Sequence, residues 1–234
     1  MGRLLLVGNS RWHWGLREPG GLRTWHAPAP ARSADDDWAD LELWAAVGAL
    51  PEGLVLPQAR RLALEQVPLQ GLPPWLGVDR ALAGWQAWCA QGAAVLVADA
   101  GTCLSLTRVD GQGRFCGGRL SAGLALQLRS LGAATARLPQ VSDPPAPGPG
   151  VEEAWPQRTR EAMEQGCLRA CAAAIVQAWQ DLQPAEPAEA VQLWLTGGDA
   201  ERLDPLLRQQ GIQAVLDPDL CLRALEQLSG AASR

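Results

Sequence analysis

This chain of 234 residues has no lysine and no tyrosine, a single asparagine (Asn9), a single phenylalanine (Phe115) and two histidines (His13, His26). Each absence removes a class of chemistry. Without lysine there is no Walker-type phosphate lysine, no Schiff base and no lysine general base, which excludes the classical P-loop kinases. Two histidines with no H-E-x-x-H leave no histidine-rich zinc site, and a serine-protease triad would have to be built on one of these two. Gln86, Gln91 and Asp99 interrupt the most apolar region, so no run approaches the roughly 18 residues of a membrane span, and Leu4 to Val7 is too short for a signal peptide. We therefore expect a cytoplasmic location and no membrane partner. A net charge of −5, with arginine the one positive side chain, provides no basic surface for nucleic acid. The six cysteines (Cys89, Cys103, Cys116, Cys167, Cys171, Cys221) contain no C-x-x-C pair and read as reduced core thiols.

What is present is enough apolar material, 47% hydrophobic against 19% charged, for one compact domain or two small fused lobes. Eleven tryptophans accompany many alanines, arginines, glycines and prolines, a pattern of composition bias in which most tryptophans are core or interface residues.

Apolar patterning predicts a strand Arg3 to Val7, a turn Gly8-Asn9-Ser10, a strand Arg11 to Arg17 and a third strand around Leu22 to His26. It continues with a helix near Asp37 to Leu50, carrying Leu41, Trp44, Ala45 and Leu50 on one side, and short strands near 54–56 and 62–67. A helix then runs from Asp79 to a stop at Gly92. The pattern restarts with a buried strand Ala94 to Ala98, the turn Asp99-Ala100-Gly101-Thr102, a strand Cys103 to Val109, the hairpin turn Asp110-Gly111-Gln112-Gly113, a strand Phe115 to Leu120 and a helix from Gly123 to Arg137. Residues 139–150 read as a Pro/Gly-rich loop. A long helix from Thr159 to Gln180, a strand Val191 to Leu195, the turn Thr196-Gly197-Gly198-Asp199 and two helices opened by Asp204-Pro205 and Asp217-Pro218 complete the chain, with Gly211 as a stop.

The repetition is the informative feature. Two units, 1–92 and 93–234, each open strand, glycine turn, strand, turn, strand, helix. A duplicated unit of this kind is the plan of the actin-like kinases and ATPases, whose nucleotide lies in the inter-lobe cleft. The expected fold is therefore α/β, actin-like (ribonuclease H-like) and duplicated, two lobes each with a mixed sheet flanked by helices.

A glycine turn between strands lets backbone N–H groups approach phosphate oxygens, and Asp99 with Thr102 makes D-x-G-T, a carboxylate placed to hold a cation there. The same four residues also suit a plain hairpin turn. Asp79, in Gly77-Val78-Asp79-Arg80, either caps a helix or accepts a hydroxyl proton in phosphoryl transfer. Gly117, Gly118 and Gly123 around Arg119 suit a close backbone approach to substrate or simple strand-end turns. Cys167 and Cys171, one helical turn apart beside Ala172, Ala173 and Ile175, read as a packed face and not a metal pair.

Gly8-Asn9-Ser10, Gly77-Val78-Asp79-Arg80, Asp99-Ala100-Gly101-Thr102, Gly117-Gly118 with Gly123, Thr159 and Thr196-Gly197-Gly198-Asp199-Ala200, in this order over essentially the whole chain, resemble the type III pantothenate kinases, relatives of the Bvg accessory factors. The resemblance implies transfer of the ATP γ-phosphate to pantothenate, the first step of coenzyme A synthesis, by a cytoplasmic homodimer needing Mg²⁺ and a monovalent cation, K⁺ or NH₄⁺. It implies Asp79 as proton acceptor, Gly77, Val78, Arg80 and Thr159 at pantothenate, Asp99 on the monovalent cation and Thr102 on ATP. The stretch Leu6, Val7, Gly8, Asn9, Ser10, Arg11, Trp12 and His13 matches the family's first phosphate loop. That loop usually opens with aspartate, and here Leu6 stands in its place, followed by Ser10 where threonine is commoner. Leucine cannot coordinate Mg²⁺, so metal handling falls to phosphates, water and other carboxylates. Two alternatives follow: a non-catalytic relative that binds a nucleotide or partner, and an actin-like kinase for another small molecule.

Overall fold

The computed structural model describes residues 2–28, 38–141, 154–182 and 190–232. The chain forms two compact units: Met1–Ala90 with Gly113–Phe115 and Asp219–Arg234, and Gln91–Gln112 with Cys116–Pro218. The last helix thus groups with the first unit.

In the first unit β1 (Arg3–Val7) is an apolar run buried on both faces, which suits a central strand. It pairs antiparallel with β2 (Trp12–Glu18), which pairs with β3 (Gly21–Ala27), and parallel with β4 (Leu41–Ala46), giving the order β3-β2-β1-β4. The register sets Val7 against Trp12 and Ala46, and Leu6 against His13 and Ala45. Leu5, Val7, Trp12, Trp14, Leu41, Trp44 and Leu56 form one core cluster.

Within the expected helix near Asp37 to Leu50, Leu41–Ala46 form strand β4 and no described residue is helical; Asp37 lies outside the described residues. The spacing of Leu41, Trp44 and Ala45 imitates a helical stripe. A strand beside a central partner buries consecutive residues, so its pattern need not alternate. The expected strand at 54–56 is irregular, with a short 3-10 turn following it at Gln58–Arg60, and the expected strand at 62–67 holds a second 3-10 turn, Leu64–Gln66; a parallel bridge from Arg61 to Trp44 lies between them. Pro57, which has no N–H to contribute to a ladder, caps the first of these turns, and its carbonyl accepts the Trp44 indole N–H at 2.8 Å. Helix α1 (Val78–Gln91) buries Ala81, Leu82 and Trp85, and Gly92 at φ +68° ends it.

The second unit repeats the strand plan. Here β5 (Val95–Ala100) is central, antiparallel to β6 (Cys103–Val109) and parallel to β8 (Gln192–Thr196); β7 (Phe115–Ala122) and β9 (Val215–Leu216) form the edges, in the order β7-β6-β5-β8-β9. Helices α2 (Leu124–Ala134), α3 (Thr159–Gln180) and α4 (Ala200–Gln209) supply Leu124, Leu128, Leu168, Ile175, Leu203 and Leu207 to the core on the sheet.

Helix α3 has the bounds that the sequence predicts; of the 139–150 loop, 142–150 lie outside the described residues. Pro205 does not open a helix but lies inside α4, which starts at Ala200. Nor is Pro218 the first residue of α5 (Leu220–Ala232): the Arg223 N–H donates to the Asp219 carbonyl, which makes Asp219 the start. Cys167 and Cys171 are buried as expected on the α3 face, whereas Cys89, Cys103 and Cys116 are exposed, contrary to their reading as core thiols. No described helix is long and apolar enough to cross a membrane.

Candidate functional site

In the first unit the turn after β1 is closed by the Gly8 N–H, which donates to the Arg11 carbonyl at 3.1 Å. The neighbouring strand β4 continues into Val47 and Gly48, whose N–H groups both donate to the Val7 carbonyl, at 2.9 and 3.2 Å. A Cβ on Gly48 would stand 2.4 Å from the Gly8 carbonyl oxygen, so only glycine permits this approach. The ends of the two parallel strands thereby meet in one backbone-lined corner, the usual place for a ligand in such sheets. Leu6, Val7 and Trp12 of the expected loop are buried, the last two in the core. Asn9, Ser10 and Arg11 are exposed, and Gly8 and His13 half-buried.

Asp79 lies in the first turn of α1, where the helix dipole favours a carboxylate. Its Oδ1 accepts the Arg80 N–H at 2.8 Å, while the Gly77 carbonyl accepts the N–H groups of Arg80 and Ala81. A Cβ on Gly77 would be 2.4 Å from Asp79 Oδ1 and 3.9 Å from Val47. Gly77 therefore makes room for the carboxylate. Burial raises the Asp79 pKa above the usual carboxylate range, against the Arg80 N–H and guanidinium, which lower it. Arg80 is half-buried with its guanidinium 5.9 Å from the Phe115 ring centre, and burial lowers its pKa. Val78 is buried, so its side chain belongs to the core and not to a surface pocket.

In the second unit the turn after β5 is held from two sides. The Gly123 N–H donates to the Thr102 carbonyl at 3.1 Å, and a Cβ there would stand 2.1 Å from the Gly101 carbonyl oxygen. The Asp199 N–H donates to the Ala100 carbonyl at 3.0 Å, and a Cβ on Gly197, whose φ is +90°, would meet Ala100 N at 2.7 Å and Asp99 Oδ1 at 2.5 Å. Gly123 and Asp199 are the N-cap positions of α2 and α4, and no side chain caps either start. Two helix N-termini thus adjoin the Asp99-to-Thr102 turn, a setting that favours bound anions. Asp199 pairs with Arg202 at 3.5 Å. Thr159 is exposed at the start of α3, and the clamp on the Asp99 turn is made without it.

Comparison with known proteins adds the decisive observation. A family model for type III pantothenate kinase matches residues 68–181. The type III pantothenate kinase of Synechococcus elongatus is 36% identical over 254 aligned positions, covering 99% of this chain and 98% of the relative. The chain belongs to the type III pantothenate kinase family. Its fold is shared with a Baf family transcriptional activator from Campylobacter jejuni (TM-score 0.62, 18% identity, 99% and 98% of the two chains) and a 2-dehydro-3-deoxygalactonokinase protein from Sinorhizobium meliloti (0.55, 13%, 100% and 99%), the actin-like α/β plan with two mixed sheets.

For a member of this kinase family the metal question is specific. Among the described residues no group of three His, Cys, Asp or Glu side chains could hold a metal ion, and Leu6 is buried and apolar, so the residues present do not form a protein-built Mg²⁺ site. The Asp99 carboxylate is packed closely against backbone. Asp99 lies in a cradle of glycines, its Oδ1 2.5 Å and 3.5 Å from where Cβ atoms on Gly197 and Gly101 would be. Sequence reasoning missed Gly48 because it placed that residue in a helix; the signal was a glycine following the apolar run of β4.

Proposed function

We propose that this chain transfers the γ-phosphoryl group of ATP to the terminal hydroxyl of pantothenate. The observation that carries the reading is the near full-length match to a type III pantothenate kinase, in a chain whose Gly77-Val78-Asp79-Arg80 segment seats a half-buried carboxylate at a helix start. The near full-length match does not favour the non-catalytic alternative.

In this reaction the hydroxyl oxygen attacks the γ-phosphorus, the bond to the bridging oxygen of ADP breaks, and the hydroxyl proton passes to the Asp79 carboxylate. In a loose transition state that proton leaves late, so a carboxylate suffices as base, and burial makes it a stronger one. The Arg80 N–H on Oδ1 fixes the carboxylate rotamer, and Gly77 keeps its space open. Gly77 and Val78 would meet pantothenate through their backbone, the Arg80 guanidinium would pair with its carboxylate, and Thr159 would contact it. The exposed groups of Gly8 to Arg11 and His13 would meet nucleotide phosphates, and Thr102 would contact ATP. Asp99 would hold K⁺ or NH₄⁺, which adds positive charge beside the phosphates. The described residues offer no site of their own for Mg²⁺, which would come with the triphosphate and would supply charge neutralisation there. The acting species is a cytoplasmic homodimer.

The test is ADP release that requires pantothenate, with phosphopantothenate identified by mass. No pantothenate-dependent ADP from the folded protein overturns the reading, and sedimentation of the active protein as a monomer removes the dimer.

A further inference from the structure

The register of the first sheet sets His26, His13, Leu6 and Ala45 in one row across β3, β2, β1 and β4. The matching row of the second sheet is Ser105, Asp99 and Thr196. Where the second unit presents a carboxylate on its central strand, the first presents leucine there and an imidazole one strand away. That imidazole reaches the turn: a Cβ on Gly8 would lie 3.6 Å from His13 Nε2 and 3.7 Å from Cδ2. The opposite row carries Trp14 stacked between Trp25 and Trp38, which fixes the strand and leaves His13 no choice of face.

We propose that His13, on β2 beside the first turn, takes the place of a loop carboxylate, donating to a phosphate oxygen and taking up a proton as the nucleotide binds. This rests on the reading of that turn as a nucleotide site.

The groups facing His13 decide the direction of the proton linkage. His26 lies with its ring centre 6.2 Å away on β3, Arg11 is in the turn, and Asp219 opens α5, where it accepts the Thr24 hydroxyl at 2.9 Å. Burial, His26 and Arg11 each lower the His13 pKa, and Asp219 raises it. The imidazole is therefore neutral at pH 7 without nucleotide and leaves Nε2 or Nδ1 as a single donor. Triphosphate oxygens add several negative charges beside it and favour the imidazolium, so binding draws in a proton and tightens as pH falls. A carboxylate in this place would need a cation to tolerate phosphate; an imidazole needs none.

Calorimetric titration of the full chain with ATP and Mg²⁺, in buffers of different ionisation enthalpy from pH 6 to 8, separates proton uptake from binding. Since ATP itself titrates in this range, the readout is the difference between wild type and His13→Gln. Wild type should take up more protons and bind about five- to tenfold more tightly at pH 6 than the variant, with the gap closing toward pH 8, as one linked proton requires. The loss should fall on KM for ATP and not on KM for pantothenate. His26→Gln, which keeps His13 and removes the neighbouring imidazole that lowers its pKa, should extend tight binding to higher pH. Equal proton uptake and parallel affinity profiles in wild type and folded His13→Gln, or an unmoved profile in His26→Gln, overturn the proposal. Pantothenate-dependent turnover with parallel profiles leaves the kinase reading standing, whereas a His13-dependent profile without turnover does the reverse.

Discussion

The two units build the same corner with different chemistry. Each has a central strand ending in a glycine turn and a parallel neighbour whose next glycine approaches it, Gly48 at the Gly8 carbonyl and Gly197 at Ala100. In the second unit the corner is acidic through Asp99 and is flanked by two helix N-termini; in the first the matching row carries Leu6 and His13, and the candidate carboxylate, Asp79, stands on a helix that follows β4. Backbone approach is thus common to the two units, and the side chains around it differ. Removing a side chain should affect function in one unit without disturbing the frame; filling a glycine should disturb the frame in both.

The largest effect is expected from Asp79→Asn, which should lower kcat by about 10³-fold, within the range for a lost general base. The same change should hold or raise Tm at neutral pH. The carboxylate pKa is raised in the fold, so the ionised group opposes folding once pH rises through the ordinary carboxylate range up to the raised value, and asparagine escapes that opposition. A Tm drop of several degrees would mean that Asp79 is chiefly a cap. Leu6→Asp copies the Asp99 side chain into the first corner. Burying a carboxylate there should cost about 3 kcal/mol in urea unfolding at pH 8 and less at pH 6, where His13 opposite can become a partner. An increase in stability would show that the corners are interchangeable.

Gly197→Ala should cost about 2–3 kcal/mol, because it combines overlap with backbone and an unfavourable φ, and Gly48→Ala somewhat less, because it meets the backbone of Gly8 and Asn9 without a positive φ. Equal costs would argue against the positive φ as the second contribution. The smallest effect is expected from Asp99→Asn, a drop of about tenfold in turnover with loss of activation by added KCl, while Tm changes little. Activation by KCl that survives this substitution would place the cation elsewhere.

Legibility from sequence followed the range of the interaction. The glycine turns, the apolar central strands and the bounds of α3 were readable because each is written in neighbouring residues. The candidate site residues Gly77 to Arg80 and Asp99 to Thr102 were readable as motifs for the same reason. The misread segment 37–50 shows the limit: Leu41, Trp44 and Ala45 fit a helical stripe until Ala46 is known to lie beside Val7. The same is true of Pro205, which as a dipeptide with Asp204 imitates a helix start and is in fact carried inside α4.

Composition and local pattern by themselves determined that this protein has no lysine chemistry, that it repeats a strand-turn-strand unit and that its carboxylates at 79 and 99 each stand two residues from a glycine. Only tertiary structure decided which loop residues face inward, that Gly48 closes the first corner, and that His13 stands opposite Leu6. Those facts depend on pairing between distant strands, whose register is set by burial of whole faces, and periodicity along one segment carries no record of its partner.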